Sequence, residues 1–425
     1  MIDHIASFVF AIAFLVVVWL VARWDSNRWR CRLTPFGVAA IPFGILSALA
    51  VPFASPLGFV EMNPAILLVW GAGLASFVAA SLLVRKFAPI DAAAPFTYLD
   101  ASHLDAAAPL ARVIATIAAA VASVKLYSLL GDFGAIAQLA DEEFQAEFGG
   151  GIAGHVQALA YPAVAVLVAR GRRAQRLDLI FISLGMLGAL LYQVKYTVFI
   201  PVAAGVILAV QLGNINLSLR NLSLWALAGV AGFMAVYMLG FAALDPESLS
   251  NVEIYVSLLR HLVGYLLSGI LSFSEILRGG AQQFFGSEDI VLLPFHNLAA
   301  AMFGGQIVGN EEAIKITVLI SDEGTRENVF TLFGSLYLNL GLAGMLVYSF
   351  VLAVLAYSLL GYARRFSSAW FACAPALMLA FFAFGWFHSF FYLLTPVEVM
   401  IAALLLGWLS GIRIARNPGV APVGS

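Results

Sequence analysis

The chain has 425 residues, of which 62% are hydrophobic and only 11% charged, with a net charge of -2 and a mean hydropathy of +0.96. A soluble globular domain carries roughly 25% charged and 45–50% apolar residues, so a water-soluble fold is excluded. Two cysteines, Cys31 in a basic loop and Cys373 in an apolar run, offer neither a disulfide nor a metal-ligand spacing.

A helix needs about 20 apolar residues to cross the hydrocarbon core. In chain order the runs that meet this are Ile5–Ala22, Phe36–Ala54, Ala65–Val84, Leu110–Leu130, Ile152–Ala169 and Leu177–Val194. They continue with Val198–Leu212, Leu224–Leu244, Val329–Leu360, Ala369–Phe387 and Phe391–Ile412. The first run has no basic segment before it and no small-residue cleavage site after it, which reads as a retained anchor. Leu177–Val194 and Val198–Leu212 form a hairpin turning at Gln193-Val194-Lys195-Tyr196. The expectation is an all-α polytopic membrane protein of about eleven transmembrane helices. Eight of them lie in residues 1–244 and three in 329–412. One large outer loop spans 245–328, and the tail is 413–425.

Lys and Arg accumulate on the cytoplasmic side of membrane proteins. Placing the Arg23–Arg32 loop inside makes sixteen of the 22 basic residues cytoplasmic by alternation, including Arg170, Arg172, Arg173, Arg176, Arg364 and Arg365. The Gly131–Gly150 connection, with Asp132, Asp141, Glu142, Glu143 and Glu147, then falls outside. This sets the N-terminus outside and the C-terminus inside. Counting Ile254–Leu277 as a further span would invert everything after it. It also carries Arg260, His261 and Glu275, and such charges cost about 2.5–3.5 kcal/mol each at mid-membrane. At 100° per residue His261, Tyr265, Ser268, Ser272 and Glu275 share one stripe. The segment therefore reads as an amphipathic helix lying in the interface, its stripe toward something wet.

Six basic residues remain on or near the outer face: Lys125, Lys195, Arg260, Arg278, Lys315 and Arg326. For Lys125 and Lys195 the bland account is snorkelling to headgroups, and for Arg278 and Lys315 it is loop solvation. The sharper account is an anion handled at that surface, since Arg offers a planar fork matched to phosphate oxygens. Further along, Asn328, Ser335 and Asn339 share a helical face whose polarity ends at mid-span, which describes a cavity open outward and closed toward the cytoplasm.

The run Thr325-Arg-Glu-Asn-Val-Phe-Thr, followed by Tyr337-x-Asn-x-Gly341-x-x-Gly344 and a long apolar helix, resembles the region after the large periplasmic loop in Wzy-type O-antigen and exopolysaccharide repeat-unit polymerases. The hairpin at Lys195-Tyr196 and the segment Tyr265-Leu-Leu-Ser-Gly-Ile-Leu-Ser-Phe273 are similar too. The resemblance covers roughly Leu177 to Leu360. It implies a metal-independent glycosyltransferase of the bacterial inner membrane, needing no cofactor. Its substrates would be undecaprenyl-diphosphate-linked oligosaccharides, its companions a flippase and a chain-length regulator, with no nucleic acid involved. In that reading Arg260 and Arg326 hold the diphosphates, with Lys195 or Lys125 assisting. His261 is the base candidate, then Glu323 or Glu275. Tyr265, Asn328 and Tyr337, with Asn339 beside them, contact sugar. O-antigen ligases share the large loop with Arg and His and stand as the alternative enzyme reading. A polyprenyl-phosphate-sugar glycosyltransferase would need an early acidic motif, where the first outer loop has only Glu61. A lipid-linked oligosaccharide flippase would carry charge through the inner half of the bundle, and a transporter would show repeats and broken helices; the sequence suggests none of these.

Overall fold

The computed structural model describes residues 2–87, 101–133, 142–191, 195–216, scattered positions between 218 and 238, 252–279, 288–306, 308, 317–322, 324–364, 366 and 368–415. The protein is an all-α multi-pass membrane protein. Among the described residues, seven helices are long and apolar enough to cross a membrane: His4–Trp29, Pro35–Phe53, Ala65–Phe87, Ser102–Leu130, Gly151–Ala169, Glu253–Arg278 and Leu332–Ala363. Shorter apolar helices cover Thr197–Gln211, Ile290–Ala300, Ala369–Ala383 and Thr395–Gly411. The expected span Leu224–Leu244 lies largely outside the described residues. The helices are α1 (Ile2–Trp29), α2 (Pro35–Phe53), α3 (Ala65–Phe87), α4 (Ala101–Phe133), α5 (Glu142–Gly149), α6 (Gly151–Ala169), α7 (Arg176–Leu191) and α8 (Lys195–Gln211). They continue with α9 (Val252–Arg278), α10 (Glu288–Phe303), α11 (Leu332–Ala363), α12 (Ala369–Ala383) and α13 (Thr395–Ala415), with β1 (Val318–Leu319) and β2 (Arg326–Glu327) between α10 and α11.

Contacts divide the chain into two interleaved units rather than consecutive segments. One comprises Met1–Phe87, Asn216–Tyr357 and Phe381–Leu394; the other Ala88–Ile215, Ser358–Ala380 and Thr395–Ser425.

The first unit is built on aromatic packing. Phe43 stacks on Trp70 with ring centroids 3.6 Å apart, and Phe333 stands edge-on to Trp70 at 4.7 Å and to Phe77 at 5.8 Å. The Trp70 indole N–H is satisfied inside this core by donating to Thr331 Oγ1 at 2.9 Å. The same oxygen accepts from the Gly334 N–H at 3.1 Å and so caps the start of α11. Toward the opposite end Asp25 is fully buried. It accepts from the Ser81 hydroxyl at 2.6 Å and from the Tyr357 hydroxyl at 2.6 Å, while Trp29 stacks on Tyr357 at 4.9 Å. Burying a carboxylate is tolerated only with such hydrogen bonds, so this group ties α1, α3 and α11 together.

Two features of this unit depart from helical-wheel expectations. In α9, Ser268 and Ser272 are fully buried, as are Ile270 and Phe273 on the other side. Of the stripe expected to face water, His261 is exposed, as are Ser257 and Arg260 near it, and Glu275 is half-buried, while Ser268 and Ser272 between them are enclosed. The stretch from 267 to 274 is enclosed, and there Gly269 seats its backbone on the 384–394 segment: a Cβ would lie 2.1 Å from the Phe387 carbonyl oxygen and 2.8 Å from that of Trp386. The other departure is in α11, which is two helices joined at Gly341 (φ 66, ψ -177). That backbone region is strongly unfavourable to residues with a Cβ. A broken helix, which the sequence did not suggest, is therefore present.

Helix α9 also touches one short connection at two distant points. Gly264 faces the Phe59 ring, 3.1 Å from where its Cβ would stand. Ser274 Oγ accepts from the Asn63 N–H, and Arg278 donates to the Glu61 carbonyl. Positions 264 and 278 are about 21 Å apart along a helix, yet both sites meet the same connection between α2 and α3.

In the second unit, α4, α6, α7, α8 and α13 pack around small residues such as Ala115, Ala163 and Ala165, all fully buried. One end is fixed by an ion network. Arg170 donates to Asp105 at 2.8 Å and pairs with the fully buried Asp178. Arg112 also pairs with Asp178, at 2.7 Å. Asp105 lies inside α4 and serves this network.

Gly269→Ala is expected to lower stability by about 1–3 kcal/mol through overpacking against backbone that cannot yield, seen as a reduced thermal midpoint in detergent. Gly411→Ala, where no atom lies within 4 Å of the added carbon, serves as the control and should leave the midpoint unchanged.

Candidate functional site

Three stretches distant in sequence converge on one cavity of about 130 Å³ within the first unit, lined by Leu57, Gly58, Phe59, Ser257, Arg260, His261, Gly264, Tyr265, Ser321, Thr325 and Glu327. Helix α9 contributes the residues at 257, 260, 261, 264 and 265, whose spacing of three, four, seven and eight puts them on one face. Strands β1 and β2 pair antiparallel with Leu319 opposite Arg326, and their turn is closed by the Thr325 N–H donating to Ser321 Oγ at 3.1 Å. The α2–α3 connection joins as a third extended segment: the Val60 N–H donates to the Ile320 carbonyl at 2.9 Å and the Asp322 N–H to that of Gly58 at 3.0 Å.

Side-chain alternation along β2 decides what enters this cavity. Glu327 lines it, whereas Arg326 is exposed and is not among the lining residues. The Arg260 guanidinium reaches over Gly58, and the Tyr265 ring stacks on Phe387 at 4.5 Å. The result is a cavity with a basic helical wall, a hairpin wall bearing a carboxylate and two hydroxyls, and aromatic rings beside both.

A second, smaller cavity of about 20 Å³ lies among Ile290, Val291, Ser335, Leu336, Asn339, Tyr348, Ser389, Phe391 and Tyr392. It has room for one water molecule. Asn339 Nδ2 donates to the Ser335 carbonyl at 2.8 Å, while its Oδ1 is buried with no partner among the described residues. Tyr348, beyond the Gly341 break, also lines this space, so polarity on α11 does not stop at Asn339. Next to it, His388 hydrogen-bonds through Nε2 to the Tyr392 hydroxyl. Burial pushes the His388 imidazole from 6.5 down to about 4, and its interaction with the Phe330 backbone works the other way.

Of the residues singled out from sequence, Arg260, His261 and Tyr265 come together. Glu275 pairs instead with Arg278, near the Glu61 end of α9 and outside the larger cavity's lining. Asn328 precedes α11 and is exposed, so it shares no helical face with Ser335 and Asn339. Tyr337 packs edge-on against Phe273, 6.2 Å away. Lys125 belongs to the second unit, where Glu147 lies 3.4 Å from its ammonium. Glu323 lies outside the described residues, as do Lys315 and the side chain of Lys195.

A family model matches residues 58–416, which includes all of both cavity linings except Leu57. The chain belongs to a family of unknown function (DUF6337). No curated protein and no solved structure matches it.

The residues missed from sequence are Glu327, Ser321, Thr325 and Ser257 in the larger cavity, and His388 with Tyr392 beside the smaller one. Glu327 follows Arg326 directly, and only the strand pairing tells which of the two points inward. The signal for His388 was its position as a lone ionisable residue between two apolar runs.

Because the folded-state value of His388 lies below 6.5, the unfolded chain takes up that proton first. Stability is full above about pH 6.5 and falls as pH drops toward 4. The thermal midpoint should therefore be lower at pH 5 than at pH 7.5, a difference of about 2 kcal/mol. His388→Gln should remove most of that difference.

Proposed function

We propose that this protein is a glycan polymerase at the periplasmic face of the bacterial inner membrane. It transfers an oligosaccharide from one undecaprenyl diphosphate to a sugar hydroxyl of another lipid-linked repeat unit. The observation that carries this reading is the convergence of Arg260, His261 and Tyr265 on one cavity, inside the stretch from Leu177 to Leu360 that resembles Wzy-type polymerases. The guanidinium holds the diphosphate and stabilises the charge that develops as it leaves, and the aromatic rings receive the sugar. Arg326, exposed outside the cavity, becomes a peripheral contact for a long lipid-linked chain.

The topology proposed with it has eleven spans, a periplasmic N-terminus and α9 lying along the membrane surface. A helix that meets the α2–α3 connection at both position 264 and position 278 runs across the ends of its neighbours. That arrangement suits an interfacial helix. Supporting it, the α2–α3 connection, the hairpin, α9 and the 384–394 segment, all assigned to the outer face by charge, meet one another in the first unit. The arginine-rich network of Arg112 and Arg170 falls at the side assigned to the cytoplasm.

The break in α11 at Gly341 favours a second reading, a flippase for the same lipid-linked oligosaccharide, because transporters build their sites at discontinuous helices. Lipid-linked glycan from a deletion strain separates the cases. A missing polymerase leaves single repeat units exposed on the periplasmic side. A missing ligase leaves long lipid-linked chains, and a missing flippase leaves single units on the cytoplasmic side.

Two results are expected. Thiol labelling from outside should reach cysteines introduced near Gly150, Asp245 and Gly280 but not near Arg173 or Arg364; external labelling at Arg364 overturns the orientation. Arg260→Gln should abolish polymer while the protein remains inserted. Arg260→Lys should restore part of it, since an ammonium lacks the planar fork, and Arg326→Gln should shorten chains without stopping synthesis.

A further inference from the structure

The larger cavity holds its charges on two different elements. Helix α9 presents Arg260 and His261, and the hairpin presents Glu327, flanked by the Ser321 and Thr325 side chains. Transfer of a glycan from a diphosphate to a hydroxyl requires two opposite services: cations for the departing oxygen and an acceptor for the incoming hydroxyl's proton. If the diphosphate sits on the α9 wall with Arg260, then His261, next to it in sequence and lining the same wall, faces the departing oxygen. The acceptor then has to come from the other wall.

Among the described residues that line the cavity, Glu327 is the carboxylate on that wall. Glu275, paired with Arg278, is not in the lining. Strand alternation turns Glu327 inward and Arg326 outward, so the acid is delivered by the pairing of β1 with β2 and by the attachment of that pair to the α2–α3 connection. Resting on the polymerase reading above, we propose that Glu327 is the proton acceptor for the attacking sugar hydroxyl and that Ser321 and Thr325 complete an acceptor-sugar subsite. In the step, the hydroxyl oxygen forms the new bond to the anomeric carbon as its proton passes to the Glu327 carboxylate. The bond from that carbon to the diphosphate oxygen breaks, and the electron pair leaves with undecaprenyl diphosphate, held by Arg260. Groups on opposite walls suit a single displacement with inversion at the anomeric carbon. His261 serves the leaving side.

The test compares Glu327→Gln, Glu327→Asp and Arg260→Gln in the full chain, in two measurements. One is repeat-unit polymer made in a complemented deletion strain, with membrane levels of each variant checked. The other is binding of undecaprenyl diphosphate to the purified protein in lipid nanodiscs. Removing a carboxylate beside an anion does not weaken the anion's binding, so Glu327→Gln should bind undecaprenyl diphosphate at least as tightly as the parent. Its polymer should fall by about 10²-fold or more, the usual effect of losing a general base. Glu327→Asp should recover part of that loss, and Arg260→Gln should lose binding. Normal polymer from Glu327→Gln alongside a dead Arg260→Gln overturns the assignment of Glu327 and leaves the polymerase reading intact. Loss of both binding and polymer in Glu327→Gln also overturns it, because the carboxylate then only positions Arg260. Unchanged binding and polymer in all three variants, or a deletion strain with normal glycan, overturns the polymerase reading itself.

Discussion

Position 269 has no side chain, and the carbonyl oxygens of Trp386 and Phe387 occupy the space that one would fill. Backbone contact of this closeness is available only to glycine, and much of the first unit is organised around it. It brings Phe387 to the level of Tyr265, so the two rings stack. It holds the 384–394 segment against the start of α11, where the Leu332 N–H donates to the Gly385 carbonyl at 2.6 Å. With α9 fixed this way, its first half extends beyond the packed stretch and presents Ser257, Arg260 and His261 to the cavity they share with the hairpin.

The burial of the middle of α9 explains why its polar stripe is exposed at His261 and enclosed at Ser268 and Ser272. A helical wheel reports which side chains share a direction; what lies in that direction is set by tertiary packing. Ser268 and Ser272 point the same way as His261, but they meet protein rather than solvent. The apolar spans were legible because crossing a bilayer is a matter of length and composition. The basic wall was legible as well, since Arg260, His261 and Tyr265 occur on a single helix where spacing fixes their relation.

The other wall could not be read in the same way. Strands β1 and β2 are two residues each, too short for alternation to register in a sequence. Their partner at Gly58–Val60 is more than 250 positions away in the chain. The Gly341 break escaped for a related reason: a glycine in an apolar helix is common in membranes, and only its backbone angles distinguish a joint from a packing site. The polar face read from Ser335 and Asn339 was therefore expected to end at mid-span, whereas Tyr348, past Gly341, returns to the Asn339 cavity.

Taken with its two end fixtures, that joint makes α11 a jointed lever. The arm before Gly341 is pinned at its first turn, where Thr331 caps the helix and holds the Trp70 indole. The arm after it is pinned by the Tyr357 hydroxyl on the buried Asp25. A rod fixed at both ends can bend only where its own structure is interrupted, so any motion of α11 is concentrated at Gly341. The small polar chamber of Asn339, Tyr348 and Tyr392 sits at that point. Whatever changes the angle between the arms must therefore open or close that chamber, while the aromatic core and the Asp25 anchor stay in place.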